Sequence, residues 1–243
     1  IRSPEVTLRR TKDGKIDIDE LAEIERMTLA ILIMPLAGYF TLDESCFNLF
    51  SGIHNGRGNC CSISELIYVL GNALGIPVSL IRVSETIDKK KGIAHVAALW
   101  WLSDGKTMIV DLVYRLISEP FNMNIVFENK ADNWTIRDQD AAYHVHRRFT
   151  LLDKDKTISI RYTNIGVLFG LISGQFEDSI ILYNAALKLW PDNTFAYINR
   201  ASSYAKLGLI EEAKRDFRQA VSLDPGLSQR VEELKNAFRE EGT

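Results

Sequence analysis

Residues 34 positions apart match each other through the C-terminal third of the chain. Gly174 matches Gly208, Tyr183 matches Phe217, Ala186 matches Ala220 and Pro191 matches Pro225. A fixed period of this length marks one helix–turn–helix unit used twice, because such a unit buries its apolar face only against a neighbour of the same shape. From about Thr157 the pattern is therefore helical to the end. A last helix, Ser228 to Glu241, carries apolar Val231, Leu234 and Phe238 among charged residues, which suits a solvent-facing cap. Two repeats and a cap bury little core alone, so they are expected to lean on a preceding domain.

The second copy, with Tyr197, Ala201, Tyr204, Gly208, Ala213, Phe217, Ala220 and Pro225, resembles the tetratricopeptide repeat. The first copy is looser, with Thr163 in the usual tryptophan place, Gly170 in the usual tyrosine place and Ser179 in the usual alanine place. Those small residues make room where helices cross. The expected layout is a first domain over residues 1–150 and an all-α domain over 157–243, with repeats at about 160–193 and 194–227. The resemblance implies a groove for a peptide or protein partner, or equally a brace for the first domain.

Composition excludes more than it assigns. At 46% apolar and 25% charged residues the chain is an ordinary globular one, and its net charge of −3 makes no case for nucleic acid or an anionic membrane. The run Lys89-Lys90-Lys91 is short enough to be a solvated loop. The longest apolar stretch, Met27 to Leu42, is interrupted by Pro35 and Gly38 and falls short of the roughly 20 residues of a membrane span. It reads as a buried helix and a turn. The first residue is Ile, so the natural N-terminus is not visible, and a cytoplasmic protein and an exported one that has lost its signal are both open.

Helical periodicity opens at Asp17-Ile18-Asp19-Glu20 and runs through Leu21, Ile24 and Met27 to about Met34, where Pro35 is expected to stop it. Leu42 to Phe50 reads as a second short helix. A glycine-rich loop, residues 51–59, then leads to Cys60. The next helix has apolar residues at Ile63, Leu66, Ile67, Leu70, Ala73 and Leu74, with Asn59 as N-cap, Gly75 as the left-handed residue after its end, and Pro77 beyond. Strands are expected at Val78–Val83, Ala94–Leu102 and Thr107–Val113, the last two joined by a hairpin turn at Ser103-Asp104-Gly105-Lys106. Asn122–Phe127 and Phe149–Asp153 read as further short strands.

Three cysteines, Cys46, Cys60 and Cys61, do not make a disulfide framework, and no CxxC pair or His-rich tract suggests zinc. Cys60 lies at a helix tip, where unpaired N–H groups and the positive dipole end favour a thiolate and supply an oxyanion donor. His95 begins one strand and Asp111 sits in the next. An imidazole there can take the thiol proton, and a carboxylate can fix its tautomer. The hairpin register decides whether this works. A two-residue turn puts Asp111 on the face opposite His95. A three-residue turn, with Leu102 paired to Lys106 and Gly105 left-handed, sets Asp111 opposite Ala97 on the His95 face. The catalytic reading therefore requires the bulged turn.

Gly58-Asn59-Cys60, a helix to Leu74-Gly75-Ile76-Pro77-Val78, then Ala94-His95-Val96-Ala97 and Val110-Asp111 resemble the core motif of the transglutaminase-like superfamily over about residues 17–115. Its coupling to C-terminal tetratricopeptide repeats resembles a group of bacterial proteins. The resemblance implies an α+β, papain-like core and a catalytic order of Cys60, His95, Asp111. It also implies peptidase, amidase or cross-linking chemistry through a Cys60 thioester. Some relatives with such repeats lack the cysteine and imply a non-catalytic scaffold instead. No cofactor, metal or calcium site is implied.

Around this centre the assignments are open. Cys61 reads as a buried neighbour and Cys46, near Phe47 and Phe50, as core. His54, Asn55 and Asn59 are candidates for a second oxyanion donor or a substrate contact, or for an ordinary loop turn. Trp100 and Trp101 face opposite sides of one strand, one in the core and the other lining a cleft or a domain contact. His144 and His146, beside Arg147 and Arg148, read as a surface segment.

Overall fold

The structure is a computed structural model and describes residues 17–43, 54–87, 91–130, 133–137 and 145–241. Helix α1 (Ile18–Tyr39) starts where Asp17 accepts hydrogen bonds from the N–H groups of Asp19 and Glu20 at 3.0 and 3.3 Å. It runs past Pro35 rather than stopping there. A proline inside a helix loses only its own N–H bond and crowds one carbonyl, and the ladder resumes at once, with Phe40 N–H donating to Leu36 O at 3.0 Å. The helix is amphipathic rather than buried throughout: Leu29 and Ile33 are enclosed, whereas Met27 and Ile31 are exposed. No helix among the described residues is long and apolar enough to cross a membrane.

Strand β1 (Thr41–Leu42) pairs in parallel with β2 (Arg57–Gly58), so Leu42 is extended, not helical. The rest of the expected second helix, residues 44–50, lies outside the described residues, as do Cys46, Lys89, Lys90 and His144.

Helix α2 (Cys60–Ala73) is bounded as its sequence requires. Asn59 Oδ1 accepts from Ser62 N–H at 2.8 Å, and Gly75 takes φ +79°. Its buried face holds Cys61, Ile63, Leu66 and Ile67, but Leu74 is exposed. The last turn is held instead by backbone proximity. A Cβ on Gly71 would lie 2.2 Å from Val78 Cγ2, so only glycine lets the helix approach the following strand this closely.

Seven strands form one sheet in the order β6-β5-β4-β3-β9-β8-β7. They are β3 (Val78–Thr86), β4 (Lys91–Trp101), β5 (Thr107–Asp111), β6 (Leu116–Ile117), β7 (Phe127–Lys130), β8 (Asn133–Ile136) and β9 (His146–Leu152). The β4–β5, β5–β6 and β8–β9 pairs are antiparallel. A short helix, α3 (Met123–Val126), precedes β7 and replaces most of the strand expected at 122–127. Asn122 caps it by accepting from Asn124 N–H, a local bond that competes with strand pairing. The strand expected at 149–153 is present as the end of β9 and starts earlier, at His146.

Beyond β9 the chain is helical: α4 (Lys154–Val167), a π-helical turn (Leu168–Ile172), α5 (Phe176–Leu189), α6 (Thr194–Lys206), α7 (Ile210–Leu223), a 3-10 turn (Pro225–Leu227) and α8 (Ser228–Glu241). Helices α5 and α7 start and end 34 residues apart, whereas α4 starts at Lys154, 40 residues before α6 at Thr194. The small residues of the first copy do what their size suggests. A Cβ on Gly170 would meet Ser179 Oγ at 2.9 Å and Ser203 Oγ at 3.2 Å, and a Cβ on Gly166 would meet the Tyr183 ring at 2.5 Å. Buried polar groups fix how the helices cross. Asn193 Nδ2 donates to Ser159 Oγ and Thr163 Oγ1 at 3.0 and 3.1 Å, and the Ser179 and Ser203 hydroxyls share a 2.7 Å hydrogen bond. The second copy has an apolar core of Phe195, Ile198, Ala201, Ala213, Phe217, Ala220, Leu227 and Val231.

By contacts the chain divides into two compact units. One comprises residues 1–80, 97–129 and 136–141, and the other residues 81–96, 130–135 and 142–243. The C-terminal helices thus share a unit with strand segments.

Candidate functional site

Cys60 is the first residue of α2, behind the Asn59 cap, and is partly exposed. Its neighbour Cys61 is buried and its thiol donates to Glu65 Oε1 at 3.5 Å. The two cysteines thus differ as expected, one opening the helix and the other packed beneath it. Among the other loop candidates, Asn59 is buried as the cap, whereas His54 and Asn55 are exposed.

The β4–β5 hairpin takes the bulged form. Leu102 N–H donates to Lys106 O at 2.9 Å, Gly105 N–H donates to Leu102 O at 3.0 Å, and Gly105 has φ +79°. Ala98 is paired with Val110, and one step along the same register sets Asp111 across from Ala97. The turn is fastened from α1, where Glu25 accepts from the backbone N–H and hydroxyl of Ser103. Within the turn, burial pushes the Asp104 carboxyl up. The hydrogen bonds from Lys106 and the charges of Lys106 and Arg26 outweigh that and hold it below the usual carboxylate range.

Asp111 is 1% exposed and ends β5, where its Oδ1 accepts from the N–H groups of Val113 and Tyr114 at 3.1 and 3.2 Å. Both bonds favour the charged carboxylate. His95 is buried on β4. Trp100 is fully buried in the core, and Trp101, on the other face of the strand, donates from Nε1 to Ser79 Oγ at 3.0 Å.

His146 is a correction. It is not on the surface but fully buried at the start of β9, with its ring stacked on that of His95 at 6.2 Å between centroids and 12° between planes. The signal is present in the sequence. His146 and Arg148 alternate with Arg147 and Phe149 along one continuous strand, whose first residues look like loop only because of their charge. Two adjacent imidazoles can bind a metal or hold each other in place.

A second cluster lies among the strands and repeat helices of residues 81–96, 130–135 and 142–243. The Arg82 guanidinium, 8% exposed, lies over the rings of Trp190 and Phe195 at 5.1 and 4.7 Å and donates from Nη2 to Thr194 Oγ1 at 2.6 Å. Sequence reasoning misses it, because a lone arginine in an apolar strand has no motif.

The tetratricopeptide repeat family matches residues 196–227, the second copy. Over 56 residues the chain is 34% identical to the tetratricopeptide repeat and J domain-containing co-chaperone DNJ1 of Fusarium oxysporum, which is 23% of this chain and 11% of that protein. Over 54 residues it is 36% identical to Hsp70-Hsp90 organizing protein 3 of Arabidopsis thaliana, 22% of this chain and 10% of that protein. The chain thus covers about a tenth of the length of these curated relatives. Taken with the helix pairs, these likenesses establish a tetratricopeptide repeat at the C-terminal end of a mixed α/β chain.

Proposed function

We propose that this protein binds a peptide segment of another protein through its C-terminal helices. One observation carries the reading: a cavity of about 300 Å³ among α6, α7 and α8. Its walls are Ala205, Ile210, Ala213, Phe217 and Phe238, and Lys214, Arg218 and Lys235 stand at it, Lys214 and Lys235 also donating to Glu211 and Glu232 at 2.8 and 3.3 Å. An apolar hole with a cationic border suits an acidic segment with one apolar anchor side chain. The names of the relatives, a co-chaperone and an organizing protein, are of proteins that act with other proteins, which supports the same kind of role. The test is fluorescence anisotropy with labelled peptides carrying one Leu or Phe among acidic residues, against the same peptides with basic residues. The acidic set binds, and the double change Lys214→Glu and Lys235→Glu weakens it about tenfold. Equal affinity for acidic and basic sets rules the reading out.

A second reading concerns the tip of α2. Cys60 would attack an acyl carbon, its proton passing to His95 and then to the leaving amine. Water would then release the thioester, with Asp111 steadying the imidazolium. Two observations favour it: the capped helix start at Cys60, and the bulged hairpin register that the arrangement requires. An amine in place of water would give a cross-linking transferase, and a silent centre would leave a scaffold. Timed iodoacetamide labelling read by mass spectrometry separates these. Cys60 reacts at least about tenfold faster than Cys46, and His95→Ala removes the difference. Equal, slow labelling of the two leaves the scaffold. Incorporation of a labelled amine into an acyl donor identifies the transferase.

A further inference from the structure

The Arg82 cluster opens onto a cavity of about 490 Å³ that neither reading above uses. Arg82 is more than nine-tenths buried, yet among the described residues its one hydrogen bond goes to a neutral hydroxyl, that of Thr194. Its Nε is enclosed without a hydrogen-bond partner there. Its Nη1 has no hydrogen-bond partner among the described residues either and is not among the enclosed atoms, and Arg82 lines the cavity. A buried guanidinium is costly unless paired. Trp190 and Phe195 cover its faces, which the ring quadrupole makes favourable, but leave its donor edge unanswered. Asp224 raises its pKa through space only. Burial outweighs that and lowers the guanidinium to about 10. The Asp224 carboxylate is turned to the backbone, accepting from Gly226 N–H at 3.0 Å.

The rest of the wall has the same sense. Lys130, Arg148 and Lys156 add three cations to Arg82, of which Arg148 is paired with Glu85 at 3.2 Å and Lys156 with Asp153 at 3.7 Å, and Asp192 and Asp224 put two carboxylates in the wall. Hydroxyls of Thr135, Thr150 and Thr194 also line it. Thr194 Oγ1 receives the Arg82 bond and so keeps its own proton to donate. A guanidinium with Nη1 left to donate, a neighbouring ammonium group and a hydroxyl donor is chemistry for oxygen anions.

We propose that this cavity is a binding site for a small molecule bearing an oxyanion, a carboxylate or a phosphate group, held by Arg82 and Thr194 with Lys130 at the wall. Two acidic side chains in the same wall limit the charge it takes, so a ligand of one or two negative charges fits better than a polyanion. The site is independent of the peptide cavity at Phe238 and of Cys60.

The test is calorimetric titration of the full chain with inorganic phosphate and, separately, with glutarate, each against chloride at matched ionic strength. Saturable binding of at least one is expected. Phosphate alone assigns a phosphorylated ligand, glutarate alone a carboxylate, and both assign the shared oxyanion chemistry. Arg82→Lys keeps the charge and removes the fork, and is expected to weaken binding about tenfold. Lys130→Ala, at the wall, weakens it several-fold, and carries the test if Arg82→Lys does not fold. Asp192→Asn strengthens it. Binding no better than chloride for either anion overturns the proposal, and so does binding that neither Arg82→Lys nor Lys130→Ala changes. Arg82 is then only a brace between strand and helices.

Discussion

Helix α2 and helix α7 are each 14 residues long, and the chain specifies them by different means. Helix α2 is set by punctuation: a cap at Asn59, a left-handed glycine at 75, and Gly71 where the helix touches β3. Helix α7 has no side-chain cap, since Leu209 precedes it. It is set by period, with Ala213, Phe217 and Ala220 buried in the repeat core and charges elsewhere. Punctuation makes one helix precise by itself, and period makes a helix depend on its neighbours. Damage should therefore be local in the first and shared in the second.

The largest expected effect breaks the first side of this contrast. Gly71→Ala puts a Cβ into Val78 and should destabilise by about 3 kcal/mol in urea denaturation, by overpacking. No loss, or the gain of up to about 1 kcal/mol that Gly→Ala brings at an open helix position, would mean that the close approach is not needed. On the repeat side, Arg200 Nε and Nη2 donate to Asp216 at 2.7 and 2.8 Å, tying α6 to α7. Burial lowers the guanidinium pKa, but the hydrogen bonds and charge of Asp216 reverse this and raise it above its ordinary value. Arg200→Ala should cost about 2 kcal/mol, because the Asp216 carboxylate stays enclosed. Hydrogen exchange should rise in both α6 and α7. Exchange confined to α6 would contradict the shared response.

Asn59→Ala removes the cap, and should cost about 1 kcal/mol with exchange faster only in the first turn of α2. It also sharpens the cysteine reading, because a frayed tip should slow alkylation of Cys60. The smallest effect has the opposite sign. Tyr183 Oη is buried without a hydrogen-bond partner among the described residues, and burial drives its pKa up. Tyr183→Phe removes an unsatisfied group and keeps the ring against Gly166. Melting should stay level or rise, by no more than about 1 kcal/mol. A clear loss would mean that the hydroxyl does work that the repeat core hides.

Local spacing makes much of this molecule legible in its residues alone. The 34-residue offset relates α5 to α7 end for end, and the Asn59 and Gly75 signals bound α2. Glycine at 105 is compatible with either turn, and it is the chemical requirement on Asp111 that selects the bulged form. Pro35 misleads, because a stop signal is a local cost of about 3 kcal/mol or more that packing can offset. His146 misleads because two arginines beside it suggest solvent, although long basic side chains in a strand can send their heads outward past a buried neighbour.

By itself the sequence determined the periodic and punctuated features: the tetratricopeptide repeat at the C-terminal end, the helix that opens at Cys60, and the hairpin that follows. Each is written in the spacing of residue types along the chain, so the sequence records it. Only the tertiary structure decided that His146 lies on His95, and that Arg82 is buried between two aromatic rings with Thr194 as its one hydrogen-bond partner among the described residues. Those neighbours are 51 and 108 or more residues apart in the chain. The free energy of burying a charged or titratable group depends on what packing brings to it, which no local spacing records.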